Sequence, residues 1–235
     1  MRRTPRLARL IACATLALCP CAAAQTLERF AQPRAQGYVI HPRDRSGPMP
    51  VTVFLHGLCG DPASACPRFR EGVDERSWLL CPSAPQRCEG GGASWNPSGP
   101  ASSASIRRAV DAVDRLAPGE VDRAAPGVLI GFSQGAYIAE RVARSAPGRW
   151  RGVAFVGAFI HVGRARLEAM GVRRVVLAAG RYDMTRRALE ETAQNLARDG
   201  FPVRFVDLGA VGHTYVPSRR VAGWRDALAW LEESY

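Results

Sequence analysis

The sequence predicts an α/β fold: one mostly parallel sheet with helices on both faces. Three observations carry that prediction. Short apolar runs recur at 38–41, 51–55, 78–81, 128–132, 153–159, 174–179 and 203–208. They lack the polar alternation of a sheet with one wet face, as strands covered on both sides do. Between them lie stretches whose apolar residues repeat at helical spacing, and strand–helix alternation is the signature of a parallel sheet.

The helical stretches can be read in turn. Ile106, Ala109, Val110, Val113 and Leu116 form one stripe, after a serine cluster able to cap its start. Ala136, Ala139, Val142 and Ala143 form the next. Ala188, Leu189, Thr192, Ala193, Leu196 and Ala197 follow Thr185, and Val221, Trp224, Leu228 and Leu231 follow Ser218 near the end of the chain. No internal repeat or linker interrupts this order. Residues 82–100 read as one long loop rich in Pro, Gly and Ser, a length often tied to function. Between the strands ending near 159 and starting near 174, there is room for a short helix at 164–170 and for no cap domain.

The first 24 residues read as an export signal, leaving 25–235 as a single domain. Arg2, Arg3, Arg6 and Arg9 form a basic start, residues 10–18 an apolar run, and Ala22-Ala23-Ala24 a small-residue cleavage site. The apolar run is about half of the roughly 20 residues that span a bilayer, so no stable membrane anchor is expected. Leu18 before Cys19 and Pro20 before Cys21 are not the small residues that a lipidation site prefers. Cleavage near Gln25 would deliver the chain to a periplasm or the exterior, most naturally of a bacterium. The twin Arg2-Arg3 pair is only a weak sign of twin-arginine export.

The charge balance does not point to nucleic acid. The 32 basic residues are all arginine, and the net charge is +11. Loss of the four signal arginines takes it to +7. The remaining arginines are scattered, in pairs at most, with no basic stripe interleaved with aromatics.

Cys59, Cys66, Cys81 and Cys88 remain after the signal. An even number in an exported chain implies two disulfides. Three pairings are open; the local one, Cys59 with Cys66 and Cys81 with Cys88, is favoured because each closes a short loop. A zinc site is the rival, but its spacing would differ from the usual thiolate patterns.

The chemistry centres on Gly131-Phe132-Ser133-Gln134-Gly135. G-x-S-x-G alone is modest evidence, but here a strand runs directly into it and a helix directly out of it. So tight a turn exposes the Ser133 hydroxyl, and the following helix N-terminus favours developing negative charge. A serine nucleophile needs a base, and imidazole titrates near neutrality. His213 lies in a glycine-flanked loop after the last strand. His41 reads as structural, and His161 as a possible substrate contact at a strand end. Asp183, just past the strand at 174–179, is the candidate to orient His213, with Asp207 as runner-up; a helix cap or a partner for Arg181 or Arg186 is the alternative role for Asp183. Two N–H groups, of Leu58 and Gln134, are the expected oxyanion donors. His56 would support the Leu58 loop and not act as a base.

This combination resembles the α/β-hydrolase superfamily. The order Ser133, Asp183, His213 is that family's order. His56-Gly57-Leu58 together with GFSQG is similar to the carboxylesterase/phospholipase group that includes acyl-protein thioesterases. The export signal, the loop cysteines and Trp95 look more like secreted polyhydroxyalkanoate-depolymerase or feruloyl-esterase relatives. The resemblance implies an α/β-hydrolase fold and a serine carboxylesterase working through an acyl-enzyme, with no cofactor or metal. Its substrate would be a small-molecule or polymer-end ester. Trp95, in the 82–100 loop, would line the acyl pocket, though a surface loop stapled by cysteines is an equal alternative. A secreted serine peptidase on the same scaffold and a non-catalytic binding protein are the other readings.

Overall fold

The computed structural model describes residues 27–33, 35–43, 46–70, 72–73, 76–96, 98–218 and 223–233. The expected signal segment and Val221 lie outside them. An eight-stranded sheet organises the chain: β1 (Glu28–Gln32), β2 (Ala35–Ile40), β3 (Val51–Leu55), β4 (Trp78–Pro82), β7 (Gly127–Phe132), β8 (Trp150–Val156), β9 (Arg174–Ala179) and β10 (Val203–Asp207). Its spatial order is β1-β2-β4-β3-β7-β8-β9-β10. Every neighbouring pair from β4 to β10 is parallel, and only β2 runs the other way. A small hairpin of β5 (Gln86–Arg87) and β6 (Ala93–Ser94) stands apart.

Side chains alternate across the sheet and feed two cores. In β3, Val51, Val53 and Leu55 point to the side covered by α2 (Gly99–Leu116), α3 (Gln134–Ser145) and α5 (Arg186–Arg198). Phe54 points to the opposite side, covered by α1 (Pro62–Ala65), the 3-10 turn Cys66–Phe69 and α6 (Trp224–Glu232). Helices on both faces explain why the central strands read as unbroken apolar runs. Between β8 and β9 there is only α4 (Arg164–Ala169). Among the described residues no helix is long and apolar enough to cross a membrane.

Several local readings need correction. The apolar run at 153–159 is not all strand: β8 ends at Val156 because Gly157 turns the chain with φ +58°. The serine cluster does not cap α2. The helix starts earlier, at Gly99, and Ser98 is the cap, accepting from the Ala101 N–H. Ser102 and Ser103 are buried and bonded instead to Asn96 and Ser145. Strand β1 escaped notice because the sequence ERFAQ carries one buried apolar side chain on an edge strand.

The cysteine pairing is also different. The bridges join Cys59 to Cys88 and Cys66 to Cys81, with Cα–Cα distances of 5.7 and 5.8 Å. Cys66, in the 3-10 turn, is buried with Cys81 of β4 in the second core. Cys59 takes a left-handed turn at φ +51° and meets the β5–β6 hairpin, where Cys88 sits. Neighbours in space decide the pairing, and these lie 29 and 15 residues apart in the chain.

Candidate active site

The carboxyl ends of β3, β7, β8 and β9 lie side by side, so the loops leaving them converge. Ser133 follows β7 and precedes α3, with φ +53° and ψ −118°, a strained conformation for a residue with a side chain. Gly135 makes that turn possible. A Cβ there would fall 1.9 Å from the Leu55 carbonyl oxygen, so only glycine lets α3 start this close to β3.

His213 enters from the loop after β10. Its Nε2 lies 3.0 Å from Ser133 Oγ and its Nδ1 lies 2.9 Å from Asp183 Oδ2. Asp183 is buried, and its second oxygen accepts from the Thr185 N–H at 2.9 Å and the Thr185 hydroxyl at 2.8 Å. The carboxylate is therefore fixed on one side by Thr185, leaving the other to the imidazole. Asp207 takes no part. It bonds the Gly209 N–H and pairs with Arg186 at 3.0 Å, and these partners hold its carboxyl below the usual range. Arg181 also faces Asp207, not Asp183.

Gly157 closes the space beneath this line. A Cβ at that position would lie 3.2 Å from both Asp183 Oδ2 and His213 Cε1, and 3.0 Å from the Phe132 ring. The Phe132 ring in turn packs 5.0 Å from the His213 imidazole.

The Leu58 loop reaches the serine from the other side: a Cβ on Gly57 would sit 3.3 Å from Ser133 Cβ. Gln134 is the first residue of α3, where a helix leaves its N–H without an intrahelical partner. His56 is buried under this loop. Its Nε2 accepts from the Ala84 N–H at 3.1 Å, so the proton resides on Nδ1, which donates to the Gly57 carbonyl at 2.8 Å. Burial pushes its pKa below the ordinary value. It is a neutral brace with both nitrogens occupied.

Trp95 is not a pocket wall. It is 1% exposed, packs beside His56 at 5.1 Å, and donates from Nε1 to the His56 carbonyl at 2.9 Å. Its backbone N–H donates to the Gln134 side chain at 3.0 Å. The 82–96 segment is thus strapped to the Leu58 loop and to the helix start, and the Cys59–Cys88 bridge adds a covalent tie. His161 is exposed in the segment after β8, away from these bonds.

Tyr137 and Tyr215 carry no signal in the sequence, and Thr185 is read there only as preceding a helix. Thr185 had a readable signal, since Asp-x-Thr suits a side chain that bonds the backbone two residues on. Tyr137 lies one helical turn beyond Ser133, and its hydroxyl accepts from the Phe159 N–H at 3.0 Å.

The loops at this edge of the sheet expose large apolar side chains. Leu58 is 64% exposed, Tyr182 72% and Met184 80%, and Tyr137 and Phe159 are exposed too. All five lie on loops or the helix start at the carboxyl edge that carries Ser133.

This sheet order, with a strained serine at the β7–α3 turn, decides the architecture. The chain has the α/β-hydrolase fold. Solved hydrolase-fold structures are similar over nearly their whole length. Esterase PE8 matches with a TM-score of 0.58 at 21% identity, covering 84% of this chain and 97% of that one. FphF, a fluorophosphonate-binding serine hydrolase of Staphylococcus aureus, matches at 0.60 and 15% identity, covering 90% and 99%. A ferulic acid esterase matches at 0.57 and 14% identity, covering 88% and 95%. No family model and no curated protein matches the sequence.

Proposed function

We propose that the chain is an exported serine hydrolase that cleaves carboxylic esters through an acyl-enzyme. The observation that carries the reading is the unbroken line Ser133 Oγ–His213 Nε2 and His213 Nδ1–Asp183 Oδ2, at 3.0 and 2.9 Å. Solved structures of similar fold that are named as esterases and serine hydrolases support it.

In this reading the Nδ1 proton is shared with Asp183, which leaves Nε2 as an acceptor for the Ser133 proton. Ser133 Oγ attacks the ester carbon, and its proton passes to His213. Asp183, buried and fixed by Thr185, stabilises the resulting imidazolium. The oxyanion accepts from the Leu58 and Gln134 N–H groups. The intermediate then expels the alcohol, which leaves with the proton from His213. Water repeats the sequence on the acyl-enzyme and releases the acid. The exposed Leu58, Phe159, Tyr182 and Met184, on loops at the same edge of the sheet as the serine, suit an ester with an apolar acyl or alcohol group. The two disulfides support an oxidising compartment.

The test is labelling by a fluorophosphonate probe together with a panel of p-nitrophenyl acetate to hexanoate, feruloyl and peptide substrates. The wild type should label and hydrolyse the short esters, and Ser133→Ala should do neither while melting as a folded protein. Robust labelling of Ser133→Ala would end the assignment.

A further inference from the structure

We propose that Tyr215 is a positioning residue, holding the His213 imidazole on Ser133 through an aromatic brace; the inference rests on the hydrolase reading above.

His213 is almost half exposed and sits in a loop with glycines at 209 and 212. Upstream, the loop is tied to the β9 side: the Arg181 N–H donates to the Gly209 carbonyl at 2.8 Å and the Tyr182 N–H to the Val211 carbonyl at 3.0 Å. Downstream, the next backbone tie is the Ser218 N–H to the Leu208 carbonyl at 2.9 Å. Between those ties, besides the contacts of His213 itself with Asp183 and Phe132, the Tyr215 ring reaches into the protein body. It packs on Phe132 at 4.9 Å, edge-on, on Phe69 at 5.4 Å and on Phe54 at 5.6 Å. Phe54 and Phe69 are themselves stacked at 4.2 Å.

Phe132 gives this packing its catalytic meaning. It is the residue before Ser133, and its ring lies 5.0 Å from the His213 imidazole. One ring therefore touches the base directly, carries the nucleophile on its own backbone, and leans on Tyr215. Pulling Tyr215 out of the aromatic cluster would free both the loop and the ring beneath the imidazole. Aromatic pairs of this geometry contribute beyond their buried area.

The ring, not the hydroxyl, is the working part. The Tyr215 hydroxyl makes no hydrogen bond among the described residues, and burial pushes its pKa up, so it stays a neutral phenol. An acid–base role is therefore not what the site asks of it.

The experiment is a mutant cycle on the full chain with p-nitrophenyl acetate. Tyr215→Ala and Tyr215→Phe are each made alone and with His213→Ala. Tyr215→Phe should keep kcat within about twofold. Tyr215→Ala should lower kcat by about 10- to 100-fold, the scale of a misplacement near 1 Å, with KM within about threefold. In the His213→Ala background the same change should cost nothing more, because the group that it positions is gone. Wild-type kcat in Tyr215→Ala, an equal loss in both backgrounds, or an equal loss in Tyr215→Phe would each overturn the proposal. If Tyr215→Ala shows no folding transition, Tyr215→Leu replaces it in the same cycle and is judged by the same outcomes. A wild type that takes no fluorophosphonate label would end the hydrolase reading, whereas a labelled wild type with a flat cycle would end only the role of Tyr215.

Discussion

Replacing Cys59 and Cys88 with serine should destabilise the chain far more than it slows it. The bridge spans 29 residues, but the Cys66–Cys81 bridge lies inside that span and closes 15 of them. With the inner bridge intact, the unfolded chain between Cys59 and Cys88 behaves as a loop of about 15 residues, so the outer bridge is worth about 3 kcal/mol in the chain-entropy model. For a chain of this size that corresponds to a fall of about 6–12 °C in Tm. Activity should respond differently. The Leu58 loop keeps three other ties to the 82–96 segment, and a fourth bond ties that segment to the start of α3. Ala84 N–H reaches His56 Nε2, Trp95 Nε1 reaches the His56 carbonyl, Ala93 N–H reaches the Gly60 carbonyl, and Trp95 N–H reaches the Gln134 side chain. Loss of one oxyanion donor costs about 10²–10³ in kcat; with these bonds in place, the loss should stay below about tenfold at 25 °C. The assay pairs a thermal melt with kcat on p-nitrophenyl acetate for the double serine variant. A loss of 10² or more in a variant still fully folded at the assay temperature would refute the reasoning, since the bridge alone would then be placing Leu58. An unchanged Tm would refute the stability half.

Asp183→Asn should lower kcat by about 10⁴-fold, because the amide favours the wrong imidazole tautomer while Thr185 still holds the side chain in place; full activity would move the acid role elsewhere. His56 should make stability fall with acid. Its pKa is depressed in the folded chain by burial, so the unfolded chain binds the extra proton first. The contribution is complete above about pH 6.5, the unfolded value, and is lost as pH drops toward the lower folded value. Urea midpoints measured between pH 7.5 and 5 should therefore fall less steeply in His56→Gln than in the wild type, and equal slopes would exclude this source.

The sheet was legible where residues are buried on both faces. The runs at 51–55 and 174–179 coincide with β3 and β9, because all but Thr52 and Arg174 in them are apolar and suit a strand buried on both faces. Edge strand β1 left too faint a pattern. Ser133, Asp183 and His213 were legible for a different reason. Each stands at a punctuation point of the chain: a glycine-flanked strand-to-helix turn, a strand end and a glycine-flanked loop. What holds those residues in place left no such mark. Trp95 looked like a binding aromatic because its loop is rich in Pro, Gly and Ser. Its buried position depends on the His56 carbonyl 39 residues away.

The same non-local logic explains the two bridges as a pair. Cys59–Cys88 ties the loop that presents the Leu58 N–H to the segment strapped onto α3. Cys66–Cys81 ties the 3-10 turn to β4, and that turn carries Phe69, on which Tyr215 rests. In the proposed reading, one bridge therefore stands behind the oxyanion side of the site and the other behind the base. The local pairing, Cys59–Cys66 with Cys81–Cys88, would have closed two loops of about 7 residues and joined neither support to the sheet. In the chain-entropy model such loops are worth about 2.3 kcal/mol each, against about 3 for the inner native bridge. Summed over both bridges, the native pair is the more stabilising by about 1.4 kcal/mol. The selection comes from geometry: Cys66 is buried with Cys81 in the second core, and once that pair is made, Cys59 and Cys88 are the thiols left, between the loop after β3 and the β5–β6 hairpin.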